Sequence, residues 1–237
     1  MRGLLFDKDG TLIDYWRTWL PINRDVALYA AGGDAALARE LLEIGGQDPD
    51  TGRVRPGSAL AAGGIGDIAE AFASHPKLSP PPDFEAQIDR IFARGGALHS
   101  VLVEGARETL STLRTRGFVI GLATNDSVAG LEASLAAHDV LDLFDFTAGC
   151  DSGWGAKPGP GMVRAFAASA GIDPRDIAVV GDAVHDLAMG RAAGAGCTVG
   201  VLSGTSGRED LAGLADLILD SVADMPRHAL FQVPAAL

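Results

Sequence analysis

Positive charge is scarce in this 237-residue chain: only Lys8, Lys77 and Lys157 are lysines, and the formal net charge is -12. That balance argues against a nucleic-acid partner, because binding a polyphosphate backbone depends on clustered Lys and Arg. Cysteine is scarcer still, with Cys150 and Cys197 alone. Their spacing fits no metal site, so two buried thiols are expected rather than a disulfide. No run approaches the roughly 18 to 20 uncharged apolar residues of a membrane helix, so no membrane partner is expected. Met1-Arg2-Gly3-Leu4-Leu5-Phe6 reaches an aspartate too early for a signal peptide, and a cytoplasmic location is expected.

What is present suffices for a folded protein: 47% hydrophobic and 21% charged residues are ordinary for a soluble globular chain. The length allows one large domain or two unequal ones, and two is the expectation. An anionic ligand in so acidic a chain needs a local reversal of sign, from a metal ion, a lysine or helix N-termini.

Residues 3–6 form a short apolar run that empties into Asp7 and a turn at Asp9-Gly10. Similar runs at 118–123 and 177–180 end at Thr124-Asn125-Asp126 and at Gly181-Asp182, and weaker ones lie at 198–201 and 217–219. None alternates with period two. Helical patterns at 106–116, 128–138, 162–170, 187–193 and 209–214 separate them. Unalternated strands joined by helices predict an α/β fold, a doubly wound parallel sheet covered on both faces. Ligands in such folds sit at the carboxyl ends of the strands, which is where every polar cluster named here falls. Residues 15–96 break the alternation, with helical patterns at 22–31, 34–44, 65–74 and 84–94 and Gly- and Pro-rich punctuation between them. This stretch reads as a mostly helical insertion after the first strand.

Asp7-Lys8-Asp9-Gly10-Thr11 sets two carboxylates two positions apart, followed by a glycine that frees the backbone. One carboxylate can attack phosphorus while its neighbour donates and later takes a proton. Gly181-Asp182-Ala183-Val184-His185-Asp186 adds two more near a helix start, where aspartate also serves as a cap. If these face Asp7, four carboxylates converge without basic partners, which like-charge repulsion makes costly unless a divalent cation sits among them; hard oxygen ligands favour Mg2+. Thr124 and Asn125 offer a hydroxyl and an amide for phosphoryl oxygens. Lys157, kept extended by Pro158, offers the charge to offset nucleophile and phosphate.

In this order, these four segments resemble the haloacid dehalogenase superfamily, whose phosphatases carry Asp-x-Asp-Gly-Thr, then Thr or Ser after the second strand, then Lys-Pro, then Gly-Asp-x-x-x-Asp. In layout the chain is most similar to phosphoglycolate phosphatases. The resemblance implies a Rossmann-like core at 1–14 and 97–237 and a helical cap domain at 15–96. It implies that Asp7 is nucleophile and magnesium ligand, and that Asp9 is general acid and base with its backbone carbonyl facing the metal. Thr124 and Lys157 would bind the transferring phosphoryl group with Asn125 assisting. Asp182 would ligate the metal directly, and Asp186 directly or through water.

The implied substrate is a small phosphate monoester, phosphoglycolate-like or a sugar phosphate, with Arg24, Arg39, Arg53 and Arg55 as candidates to select it. Asp9 argues against carbon–halogen chemistry, which needs no proton donor there. A sugar-phosphate mutase or a catalytically silent binding protein on the same fold remain alternatives. Lys8 departs from the often apolar residue between the two aspartates. Trp16 and Trp19, three apart, could pack the cap hinge or meet the substrate. Monomer and homodimer both stay open.

Overall fold

The computed structural model describes residues 1–232; positions 233–237 of the expected core lie outside the described residues. The strand β1 (Gly3–Phe6) is buried along its whole length, as an unalternated run covered on both faces must be. It is joined by β2 (Val119–Ala123), β3 (Phe146–Ala148), β4 (Ile177–Gly181), β5 (Cys197–Val201) and β6 (Leu217–Leu219). All pairings are parallel, and the order across the sheet is β3-β2-β1-β4-β5-β6. The direction of travel across the sheet therefore reverses between β1 and β4, and the crevice outside their carboxyl ends is where such a fold accommodates a ligand.

Successive side chains of a strand point to opposite faces, and β1 supplies both. Leu4 and Phe6 pack with Leu110 and Leu113 of α6 (Ala106–Thr115) and Leu131 of α7 (Val128–Leu135). Leu5 packs on the other side with Val163 and Phe166 of α8 (Gly161–Ala170) and Met189 of α9 (Val184–Ala193). The doubly wound α/β architecture is thus as the sequence predicts. A further short helix, α10 (Arg208–Leu211), precedes β6.

Between β1 and α6 the chain forms α1 (Tyr15–Ala30), α2 (Ala35–Gly45), α3 (Ala59–Ala62), α4 (Ile65–Ala73) and α5 (Phe84–His99). These helices share a core of their own, to which α1 gives Trp19, Ile22 and Val26, α2 gives Leu41, α4 gives Phe72 and α5 gives Ile88. The last of them packs along both α1 and α7, tying the helical segment to the sheet-bearing part.

Three expectations are corrected. Helix α1 begins at Tyr15, well before 22, and runs through Pro21. Asp14 caps it by accepting from the Arg17 N–H at 3.0 Å, and the buried stripe Trp19, Ile22 and Val26 outweighs the roughly 3 kcal/mol that an interior proline costs. The strand β3 was not anticipated, because an edge strand of three residues with one exposed carries little hydrophobic signal. Cys150 is exposed in the loop beyond β3, and only Cys197 is buried. Among the described residues no helix is long and apolar enough to cross a membrane.

Candidate active site

Asp7 leaves the end of β1 with its N–H donating to the Val180 carbonyl at 2.8 Å, so its placement is an extension of the ladder to β4. The chain then turns sharply, with the Leu12 and Ile13 N–H groups both donating to the Lys8 carbonyl at 2.8 Å. Gly10 is needed in that turn: its φ is +88°, and a Cβ there would lie 2.6 Å from Asp182 Oδ2. Asp182 follows the last residue of β4, and Asp186 lies in the first turn of α9, where its Oδ2 accepts from the Ala183 N–H at 3.0 Å. Asp186 therefore caps the helix with one oxygen and leaves the other to the crevice. Asp182 is held by the Thr205 N–H at 2.9 Å and the Thr11 hydroxyl at 3.4 Å. One oxygen each from Asp7, Asp182 and Asp186 comes within 4.8 Å of the others.

The carboxylates do not converge unaccompanied, which corrects the charge count made from sequence. The buried Lys157 ammonium donates to Asp7 Oδ1 at 2.5 Å and to Asp186 Oδ1 at 2.6 Å. Asn125 holds the backbone that carries this lysine: its Oδ1 accepts from the Lys157 N–H at 2.8 Å. Its Nδ2 donates to the Lys157 carbonyl at 3.4 Å and to the Ala62 carbonyl at 3.3 Å, so its amide is committed to the Lys157 loop and the end of α3. Thr124 is buried at the end of β2, with its hydroxyl oxygen accepting from the Asp126 N–H at 3.1 Å.

A second lysine is also internal. Lys8 is fully buried between Asp9 at 3.0 Å and Asp126 at 2.8 Å, and its ammonium sits 5.0 Å from the centre of the Trp19 ring. Trp19 in turn donates its indole N–H to Asp9 Oδ1 at 2.7 Å. Trp16, by contrast, is exposed and makes no such contact with the acid cluster.

These groups line one wall of a cleft of about 780 Å³, counted out to its open mouth. The helical segment adds Trp19, Leu60, Ile65, Ile68 and Phe92 to the lining, with Asn23 among them. None of the four arginines expected to select a substrate reaches it. Arg39 pairs with Asp50 at 2.7 Å on the surface, and Arg53 and Arg55 line a separate hollow. Arg24 and Arg39 are on α1 and α2, Arg53 and Arg55 in the loop after α2, and their positions in the sequence do not say which side of the helical layer each side chain takes.

A profile of haloacid dehalogenase-like hydrolases matches residues 1–194, a span that includes both acidic motifs, Thr124 and Lys157. The chain belongs to the haloacid dehalogenase-like hydrolase family. Among characterised relatives it is similar to hexitol phosphatase B of Escherichia coli K12, with 28% identity over 80% of this chain and 78% of that protein. It is also similar to a phosphoglycolate phosphatase of Yersinia pseudotuberculosis, with 26% identity over 95% of this chain and 91% of that protein. A crystal structure of a predicted phosphoglycolate phosphatase from Haemophilus somnus shares the fold, with a TM-score of 0.75 and 22% identity over 96% of this chain and 97% of that one.

In this haloacid dehalogenase-like hydrolase the electrostatics of the crevice are those of crowded carboxylates. Burial, then the charges of Asp7 and Asp186, push Asp182 well above the usual carboxylate range. Burial and Asp7 push Asp186 to about 6, although Lys157 pulls the other way. Burial also pushes Asp9 to about 6 against the pull of Lys8, with a quarter of its side chain exposed. For Lys157, burial lowers the pKa, but Asp186 and Asp7 more than offset it and hold the ammonium above its ordinary value. Asp182 and Asp186, costly to ionise even beside a lysine, join Asp7 in a cluster of three oxygen donors that fits a small hard divalent cation.

The raised values have a consequence for stability. An aspartate with a folded pKa of about 6 and an ordinary value of 3.8 binds more protons folded than unfolded between those limits. Its stabilising share is present at low pH and is lost as the pH rises through that window. Lys8 and Lys157, both raised, contribute evenly across it. Protein treated with chelator should therefore melt at a higher temperature near about pH 5.5 than near about pH 7.5, and the difference should shrink in Asp186→Asn. Thermal denaturation across that range checks this, and a melting temperature that falls on acidification would contradict it.

Sequence reasoning missed several members of the site. Thr205 and Ser203, whose hydroxyl donates to the Gly10 carbonyl at 2.7 Å, come from the end of β5. Their signal was available: they follow an apolar run, as the recognised clusters do. Asp126 was legible only as part of Thr124-Asn125-Asp126, and its pairing with Lys8 across 118 positions had no local signature.

Proposed function

We propose that this hydrolase removes phosphate from a small phosphate monoester by way of an aspartyl-phosphate on Asp7. The observation that carries the reading is the meeting of Asp7, Asp182, Asp186 and Lys157 in the crevice beside β1 and β4. Similarity to proteins named for phosphate hydrolysis supports it.

In this reading Lys157 and Thr124 bind the phosphoryl oxygens, and Asn125 keeps Lys157 in place through its backbone. A carboxylate oxygen of Asp7 attacks phosphorus while the ester P–O bond breaks. Asp9 gives its proton to the departing oxygen, a task suited to a carboxyl group whose pKa lies near 6. Asp9 then takes a proton from a water that attacks the phosphorus of the acyl-phosphate, releasing inorganic phosphate and restoring Asp7. Asp7, Asp182 and Asp186, with the Asp9 carbonyl, would hold Mg2+, which when bound neutralises charge on the phosphoryl group. Residues 15–96 act as a cap, whose wall of the cleft excludes water and limits the reaction to small molecules of the cytoplasm.

The test is hydrolysis of p-nitrophenyl phosphate by the whole chain. Turnover should require Mg2+, vanish with excess chelator and return when Mg2+ is restored. Turnover that ignores the chelator would remove the metal from the scheme, and none on any of a panel of phosphate monoesters would remove the reaction itself.

A further inference from the structure

We propose that the cleft selects phosphate esters whose leaving group carries no negative charge and presents an apolar face. The inference rests on the phosphatase reading and names the class of substrate. Two observations carry it. First, among the described residues the cleft's lining holds one permanent cation, Lys157, already shared between Asp7 and Asp186 at 2.5 and 2.6 Å. Lys8 is enclosed by Asp9 and Asp126 with no exposed surface, and Arg53 and Arg55 face the separate hollow. Second, the helical segment's large side chains in the lining are mostly apolar: Trp19, which also touches Asp9, and Leu60, Ile65, Ile68 and Phe92.

The phosphoryl group claims Lys157 and the cation held by the aspartates. A second anion, a carboxylate or another phosphate on the leaving group, would then have to lie against those apolar side chains. There it would lose its water and gain no countercharge, while five aspartates, Asp7, Asp9, Asp126, Asp182 and Asp186, line the same cleft. A neutral alcohol meets no such penalty and buries its apolar face on Trp19 and Phe92. The lining's polar side chains outside the acid cluster include Asn23 and His185.

The experiment compares phenyl phosphate with 4-carboxyphenyl phosphate, which differ by one charge far from phosphorus. Calorimetric binding of each to the Asp7→Asn protein with Mg2+ reads the preference without turnover. Phenyl phosphate should bind about tenfold or more tightly than its carboxylated counterpart. Ile65→Arg, added to Asp7→Asn, supplies the missing countercharge and should bring the two affinities together or reverse them. Equal affinities in the Asp7→Asn protein, tighter binding of the carboxylated ester, or no binding of either would overturn the proposal. The wild-type enzyme, given the panel of phosphate monoesters, tests the reaction separately: discrimination in binding with no hydrolysis of any of them would sink the phosphatase reading, whereas hydrolysis without discrimination would sink this inference alone.

Discussion

Asp7→Asn should lower turnover of p-nitrophenyl phosphate by about 10⁴-fold or more while the protein stays folded. The substitution keeps the size of a side chain that is nine-tenths buried, and the backbone bond from Asp7 to Val180 is untouched. What it removes is the anionic oxygen that would bond to phosphorus and one of the three carboxylates of the cluster. Unlike most losses in a buried site, this one also relieves repulsion, because the Asp7 charge helps raise the pKa of both Asp182 and Asp186. The melting temperature of the chelator-treated variant should therefore be no lower than that of the wild type at neutral pH. Steady-state assay and thermal denaturation together check this. Activity within tenfold of wild type in a folded variant would end the assignment of the nucleophile.

Asp9→Asn should lower turnover by about 10²- to 10⁴-fold through a different route, and the two variants can be told apart. An amide neither gives up nor accepts a proton under these conditions, so both half-reactions suffer. Their sensitivity differs with the ester: p-nitrophenolate leaves readily without a proton, whereas the attacking water still needs its proton taken. With that ester the variant should release about one equivalent of p-nitrophenol per enzyme rapidly and then stall. Rapid-mixing absorbance and intact-mass spectrometry, which should show a phosphate adduct, read the outcome. A stalled variant with no burst and no adduct would argue that Asp9 does not serve the second step.

Much of the fold was legible in the sequence. The strand ends at Asp7, Thr124 and Asp182 were visible because a strand buried on both faces must be a continuous apolar run, and such a run stops abruptly where the chain reaches the crevice. The helical segment was legible from periodicity, but the start of α1 was not, since Pro21 argues locally for a boundary that burial of Trp19 and Ile22 overrides. The internal position of Lys8 was hidden for a related reason. A lysine between two aspartates reads as surface charge, and only the fold brings Asp126 and Ser134 to enclose it. The arginines were misplaced by the converse error, since a cation in the insertion was expected to serve the substrate and these serve other contacts or solvent.

The indole of Trp19 joins the helical segment to the acid cluster. Helix α1 forms part of the roof, yet the same side chain grips Asp9. In the proposed scheme, lifting that roof would free the Asp9 carboxyl group from its indole partner, so that opening for exchange would also disarm the proton donor, an interlock with no separate latch.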